Sequence, residues 1–164
     1  MAHRKITNRL PAAAWLDQFG IWFILVLAAI TRFVNLGFPH QLVFDETYYV
    51  KDAWTLGNLG YEGSWPTDAN SAFEAGNSSG FSGDPSFVVH PPLGKWIIFL
   101  GMKLWGPDNP IGWRFSVALL SIASVWLLYV VAARLFESKR WALVPASLLA
   151  IDGHAIVLGR TGLL

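Results

Sequence analysis

IGWRFSVALLSIASVWLLYVVAARLF, residues Ile111 to Phe136, decides the class of fold. A helix crossing the hydrocarbon core of a bilayer needs about 20 mainly apolar residues, and this run supplies them. Two more runs read the same way, Phe19 to Phe38 before it and Trp141 to Leu158 after it. In the first of these, Arg32 lies near the far end, where a long side chain can snorkel to the headgroups. In the last, Pro145 lies in the first turn, where proline is tolerated. Composition agrees. Hydrophobic residues make up 54% of the 164-residue chain and charged residues only 14%, where soluble domains carry about 25% charged. The predicted class is an all-α polytopic membrane protein, with three transmembrane helices and one large loop that carries interfacial helices.

Charge and residue usage narrow the function classes. The formal net charge is +1 and no basic run is dense enough for nucleic acid, so no nucleic-acid partner is expected. There is no cysteine, which excludes disulfide frameworks, thiolate catalysis and cysteine-type zinc sites. His3, Arg4, Lys5 and Arg9 make a basic start. The apolar run after Asp17 is too long for a cleavable signal and no small-residue cleavage site follows, so it is expected to stay as a membrane helix. The chain closes on Thr161-Gly162-Leu163-Leu164 straight after an apolar run, which reads as a truncated product.

Basic residues favour the cytoplasmic side of a membrane. The N-terminal cluster and the connector holding Lys139 and Arg140 both obey this rule in one arrangement. Residues 1–18 are then cytoplasmic, helix 19–38 runs outward and 39–110 is an external loop. Helix 111–136 returns, 137–140 is a cytoplasmic connector, helix 141–158 runs outward and 159–164 is external. Within the loop, Phe44 to Leu59 reads as an amphipathic helix whose end is marked by Gly57 and Gly60. Tyr61 to Ser86 is rich in Gly, Ser, Asn, Asp and Pro and reads as irregular. Leu93 to Trp105 reads as an apolar helix lying at the outer interface, anchored by Trp96 and Trp105. Asn77-Ser78-Ser79 matches the N-glycosylation pattern, which has meaning only in a eukaryotic source.

Three groups of residues could carry chemistry. Asp45 and Glu46 adjoin at the start of the amphipathic helix, whose N-terminus favours negative charge. Neighbouring side chains on a helix point apart. One carboxylate can therefore face a cavity, where it could deprotonate a hydroxyl, while the other makes structural bonds. The plainer explanation is an acidic helix cap. His90-Pro91-Pro92-Leu93-Gly94-Lys95 is a rigid lead into the next helix, where His90 and Lys95 could contact a phosphate or a sugar hydroxyl. The plainer explanation is an elbow with Lys95 snorkelling. Arg114, Asp152, His154 and Arg160 lie at the outer helix ends, on the same side as Asp45 and Glu46 in this topology. Arginine holds phosphate bidentately, whereas the plainer explanation is an interhelical ion pair such as Asp152 with Arg114. No metal-ligand spacing is evident. Asp45 and Glu46 could hold a hard divalent cation only with help from other groups.

In order along the chain, four elements resemble the protein O-mannosyltransferases, glycosyltransferase family 39 of the GT-C fold. They are Asp45-Glu46 continued by Tyr48, Lys51 and Ala53; His90-Pro91-Pro92-Leu93-Gly94-Lys95; Arg114-Phe115-Ser116; and Asp152 leading to Arg160. The resemblance implies inverting transfer of mannose from a polyprenyl- or dolichyl-phosphate donor to Ser or Thr hydroxyls of exported polypeptides. It implies Asp45 as the general base, with Glu46 positioning acceptor or donor. It also implies Arg114 in the fold or the donor site, and His90, Lys95, Asp152 and Arg160 around the same external cavity. Its partners would be the lipid-linked donor, the exported acceptor, membrane lipid and the secretion translocon. The membrane would be the plasma membrane in a bacterium or that of the endoplasmic reticulum in a eukaryote, with chemistry on the extracytoplasmic or lumenal face. The polar stretch from Tyr61 to Ser86 points to an actinobacterial-like version. Competing readings are another GT-C transferase, acting on lipid or polysaccharide, and a non-catalytic membrane subunit.

Overall fold

The computed structural model describes residues 11–163. Among them the regular secondary structure is helical apart from one isolated antiparallel bridge between Gly63 and Pro85, with turns and irregular segments between the helices. The helices are α1 (Pro11–Phe33), α2 (Glu46–Leu59), α3 (Ala69–Glu74), α4 (Pro92–Trp105), α5 (Pro110–Leu135), α6 (Lys139–Ile151) and α7 (Gly153–Leu158).

Helices α1, α5 and α6 pack on one another. Their shared core is built from small residues, with Ala28, Ala146 and Ala150 around Val125, so the backbones approach closely. The large apolar side chains point the other way: Trp22, Phe23, Val26 and Ile30 on α1, and Leu119, Leu120, Trp126, Leu127 and Val131 on α5, are all exposed. A core helix of a soluble protein hides such residues. Here less than a quarter of either apolar stretch is buried, and both Trp15–Phe33 and Pro110–Leu135 are long and apolar enough to cross a bilayer.

The sequence expectations need correction at both flanking spans. The first helix ends at Phe33 rather than Phe38, through a turn with Asn35 at φ 56° and the cis bond from Phe38 to Pro39. Arg32 does not snorkel. It is fully buried and ties three helices together, donating to Ser121 Oγ on α5 at 2.7 Å and to the carbonyls of Ala150 and Leu149 on α6 at 3.1 and 3.2 Å. Those carbonyls belong to the last turn of α6, where a cation satisfies acceptors that have no helical partner. The expected third span, 141–158, is accordingly two helices. Asp152 adopts extended backbone angles and caps α7, accepting from Ala155 N at 2.7 Å. The 13 residues of α6 reach only about 20 Å, and Pro145 sits in its interior rather than in its first turn.

A second core gathers Leu42, Val50, Ala53, Phe73, Ile98, Phe99, Met102 and Trp113, from α2, α3, α4, the start of α5 and the segment before α2. Helix α2 closes at Gly60, in the left-handed region at φ 83°, as glycine allows. Gly57 lies inside the helix, against the Phe99 ring. The stretch from Tyr61 to Ser86 is more ordered than its composition suggests. It holds α3 and pairs its two ends through Ser64 N to Asp84 O and Ser86 N to Glu62 O, at 2.8 and 2.7 Å.

The crossing of α4 and α5 rests on Gly101, where a Cβ would collide with the carbonyl oxygen of Gly112. Backbone cannot yield as a side chain can. Gly101→Ala is therefore expected to cost about 1–3 kcal/mol, measured as a lower thermal midpoint in detergent. A midpoint at the wild-type value would show that the crossing is looser than drawn.

Candidate active site

Asp45 and Glu46 open α2, and the helical turn sends them to opposite sides. Glu46 points inward and is fully buried. Its Oε1 accepts from Arg114 Nε at 2.8 Å and Gly162 N at 2.6 Å, and its Oε2 from Arg114 Nη2 at 2.8 Å and Val43 N at 3.0 Å. Arg114 also donates to the carbonyls of Leu36, Pro39 and Gln41, at 3.2, 2.9 and 3.0 Å. A guanidinium has five N–H donors, and here all five are committed. The pair locks the start of α5 to the start of α2 and to the chain on either side. Two expectations change as a result. Arg114 pairs with Glu46 and not with Asp152. It has no donor left for a phosphate. Both Glu46 oxygens are taken by these bonds, and no group of three or more metal-ligating side chains occurs among the described residues.

Asp45 points outward, half-buried, into a groove of about 660 Å³. One wall is a face of α2 formed by Asp45, Tyr48, Tyr49 and Asp52, the helical i, i+3, i+4, i+7 set. The other wall comes from the paired ends of the 61–87 stretch, with Ser64, Trp65, Thr67, Ser86 and Phe87. Tyr49 Oη donates to Asp45 Oδ2 at 3.4 Å, and burial and then the Asp45 charge push its phenol upward. His90 stands beside the groove, edge-on to the Tyr49 ring with centroids 5.5 Å apart.

Lys95 does not snorkel. It is fully buried behind the groove, bound to Glu62 and, at 3.3 Å, to Asp52 Oδ2. Glu62 belongs to the paired segment and Asp52 to α2, so this one ammonium fastens both groove walls to α4. Burial is the largest cause acting on Asp52 and raises its carboxyl; Lys95 opposes that and Glu62 adds to it. Burial likewise lowers the neighbouring Lys51 ammonium. Just above the ordinary Asp value of 3.8, folded Asp52 holds a proton that the unfolded chain has released. Unfolding then releases that proton, and stability falls as pH rises through this window. Asp52→Asn should flatten that slope in a detergent unfolding series. A slope unchanged by the substitution would show that other carboxylates cause it.

Arg160 and Asp152 do not share the groove. Arg160 lines a cleft of about 140 Å³ with Phe38, Val43, Arg114 and Val157. It donates through Nη1 and Nη2 to the carbonyls of Thr31 and Asn35 at 2.8 and 3.1 Å, and its Nε has no partner among the described residues. Asp152 is spent on capping α7, and His154 is exposed. A larger hollow of about 900 Å³ lies at the junction of α5 and α6. Its arginine, Arg140, is forked onto Asp17 at 2.8 and 3.1 Å, and it gathers none of the predicted site residues.

Of the predicted residues, the structure thus puts Asp45 in the groove, His90 beside it against Tyr49, and Lys95 behind it. Tyr49, Asp52 and Glu62 were not foreseen. The spacing of Asp45, Tyr49 and Asp52 was visible in the sequence, whereas nothing local links Glu62 to Lys95.

Residues 89–163 match the family described as dolichyl-phosphate-mannose-protein mannosyltransferase. A polyprenol-phosphate-mannose–protein mannosyltransferase of Mycolicibacterium smegmatis is 37% identical over 145 residues, covering 86% of this chain and 24% of the relative. That of Mycobacterium tuberculosis is 34% identical over 157 residues, covering 91% and 26%. That of Corynebacterium glutamicum is 32% identical over 162 residues, covering 94% and 28%. The chain spans about a quarter of the length of these curated relatives. No solved structure matches it.

Proposed function

From this chain's membership of the dolichyl-phosphate-mannose–protein mannosyltransferase family, we propose that it forms the acceptor-activating part of an integral membrane enzyme. That enzyme transfers mannose from a polyprenyl-phosphate to Ser or Thr hydroxyls of exported polypeptides. Asp45 takes the proton of the acceptor hydroxyl as its oxygen attacks the anomeric carbon. The bond from that carbon to the phosphate oxygen breaks, and the lipid phosphate leaves from the opposite face, so configuration inverts. The observation that carries this reading is the division between two adjacent carboxylates. Glu46 is consumed by Arg114, while Asp45 faces the groove with Tyr49 as its one side-chain partner among the described residues. A base needs reach to its proton first and a suitable pKa second, and Asp45 has the reach.

The phosphate leaves more readily where a fixed cation meets it. Arg114 and Lys95 are both committed to buried carboxylates and Arg160 lines a separate cleft, so none of the three is assigned that role. The plasma membrane is the proposed location, with the groove on its extracytoplasmic face. That placement follows from the basic residues expected on the cytoplasmic side.

The test uses the full-length protein that carries this segment, in isolated membranes, with polyprenyl-phosphate-linked radiolabelled mannose and a Ser/Thr-rich peptide. The wild type is expected to label the peptide. Asp45→Asn should lose the label by about 10²- to 10⁴-fold, as for removal of a general base, at unchanged membrane insertion. Equal labelling by both would remove Asp45 as the base. Label passing to lipid or polysaccharide instead would replace the acceptor class.

A further inference from the structure

We propose that Asp52 is a second recognition point for the acceptor polypeptide, a carboxylate that accepts a hydrogen bond from a side chain about three residues away from the hydroxyl being modified. The inference rests on the mannosyltransferase reading and extends it to the choice of acceptor.

The argument starts from α2. Asp45 and Asp52 lie seven residues apart along one helical face, and both line the groove. At 1.5 Å per residue that places them roughly 10 Å apart along the axis. A polypeptide in the polyproline II conformation advances about 3.1 Å per residue with three residues per turn, so three residues cover nearly the same distance and return a side chain to the same face. A chain lying along the groove with its reactive hydroxyl at Asp45 therefore carries another side chain past Asp52. A single sugar ring at Asp45 does not extend that far.

Asp52 is also held in a fixed position. Its side chain keeps 16% of its surface exposed and meets the buried Lys95 through Oδ2. No bond to its Oδ1 occurs among the described residues. Lys95 is shared with Glu62, whose side chain is almost wholly buried. Two carboxylates thus divide one ammonium, and the groove-facing one keeps acceptor capacity. The other charged groups around it are Lys51, the adjacent residue on α2, and Asp45 at the far end of the groove. With Lys51, Lys95, Asp45, Asp52 and Glu62 ionised the region carries a net charge of −1. That favours a donor, neutral or cationic, over an acidic side chain. The opposite wall adds Ser64, Thr67 and Ser86, which suit a polypeptide backbone better than a lipid.

The experiment uses full-length protein in membranes with polyprenyl-phosphate-linked mannose. The peptides carry a single acceptor Thr, with Ala, Ser, Lys or Glu placed three residues before or after it. The wild type is expected to show a KM roughly tenfold lower for Ser or Lys than for Ala at one of the two positions, the scale of one hydrogen bond to a charged group. Glu there should raise KM, and kcat should change little across the series. Asp52→Ala, in which Lys95 keeps Glu62, should bring the Ser-to-Ala and Lys-to-Ala ratios to within about twofold of unity. Two results would overturn the inference: peptides differing at these positions with equal KM in the wild type, or a preference that survives Asp52→Ala. If the wild type labels none of the peptides, the mannosyltransferase reading itself fails, and that outcome is distinct from labelling without positional preference.

Discussion

Arg114→Met, in the full-length protein, is expected to cost about 3–5 kcal/mol of stability, the usual loss when one partner of a buried ion pair is removed. The substitution strands the fully buried Glu46 carboxylate with two backbone N–H donors, Val43 and Gly162. It also leaves the carbonyls of Leu36, Pro39 and Gln41 without the guanidinium that now gathers them. Arg114→Lys should recover little. An ammonium has three donors on a single point and cannot replace a five-donor fork reaching two carboxylate oxygens and three carbonyls. Removing both charges in Glu46→Gln/Arg114→Met should cost less than the two single changes added together, because no unpaired charge stays buried. The readouts are the amount of inserted protein and the thermal midpoint in detergent. A variant with wild-type stability that has lost only mannose transfer would move Arg114 from the framework to a ligand.

Lys95→Met should produce a loss of similar size for a different reason. Methionine matches much of the apolar stem but removes the ammonium that Glu62 and Asp52 share. Two carboxylates at the back of the groove then face each other without a cation. Asp52, already pushed up by burial, loses the ammonium that opposes that shift and is expected to hold its proton to higher pH than before, so the penalty should be small in acid and grow as pH rises. The double change Lys95→Met/Glu62→Met should recover a large part of the loss, because it removes the deeply buried carboxylate and leaves Asp52, which keeps its exposure to the groove, as the remaining one. A snorkelling lysine predicts the opposite, namely a nearly neutral Lys95→Met with no pH dependence. The pH series therefore separates a buried clamp from a headgroup anchor.

Legibility differed by residue, and the differences have physical causes. The second span was read to within a residue of α5, because length and apolarity are properties of a continuous run. The end of α2 at Gly60 was legible from a local backbone preference. The break at Asp152 has a local signal, Asp152 followed by Gly153 inside an apolar run, where the aspartate side chain caps α7. The separate fates of Asp45 and Glu46 followed in kind from helical geometry. Which one turned inward did not, because that depends on the position of Arg114, 68 residues away.

The sequence by itself determined a helical membrane chain, the approximate course of its longest span, and the family motifs around Asp45, His90 and Arg114. These are recorded in composition, periodicity and short-range spacing, each written in neighbouring residues. Only the tertiary structure decided which charges are tools and which are fastenings. Arg32, Arg114 and Lys95 all read as candidates for the membrane surface or a ligand, yet all three are buried and bonded. A buried cation needs partners whose geometry repays its lost hydration. Here those partners come from distant elements: the end of α6 for Arg32, the start of α2 for Arg114, and α2 together with a loop for Lys95. No local pattern specifies such an encounter, because it exists only once the helices have packed.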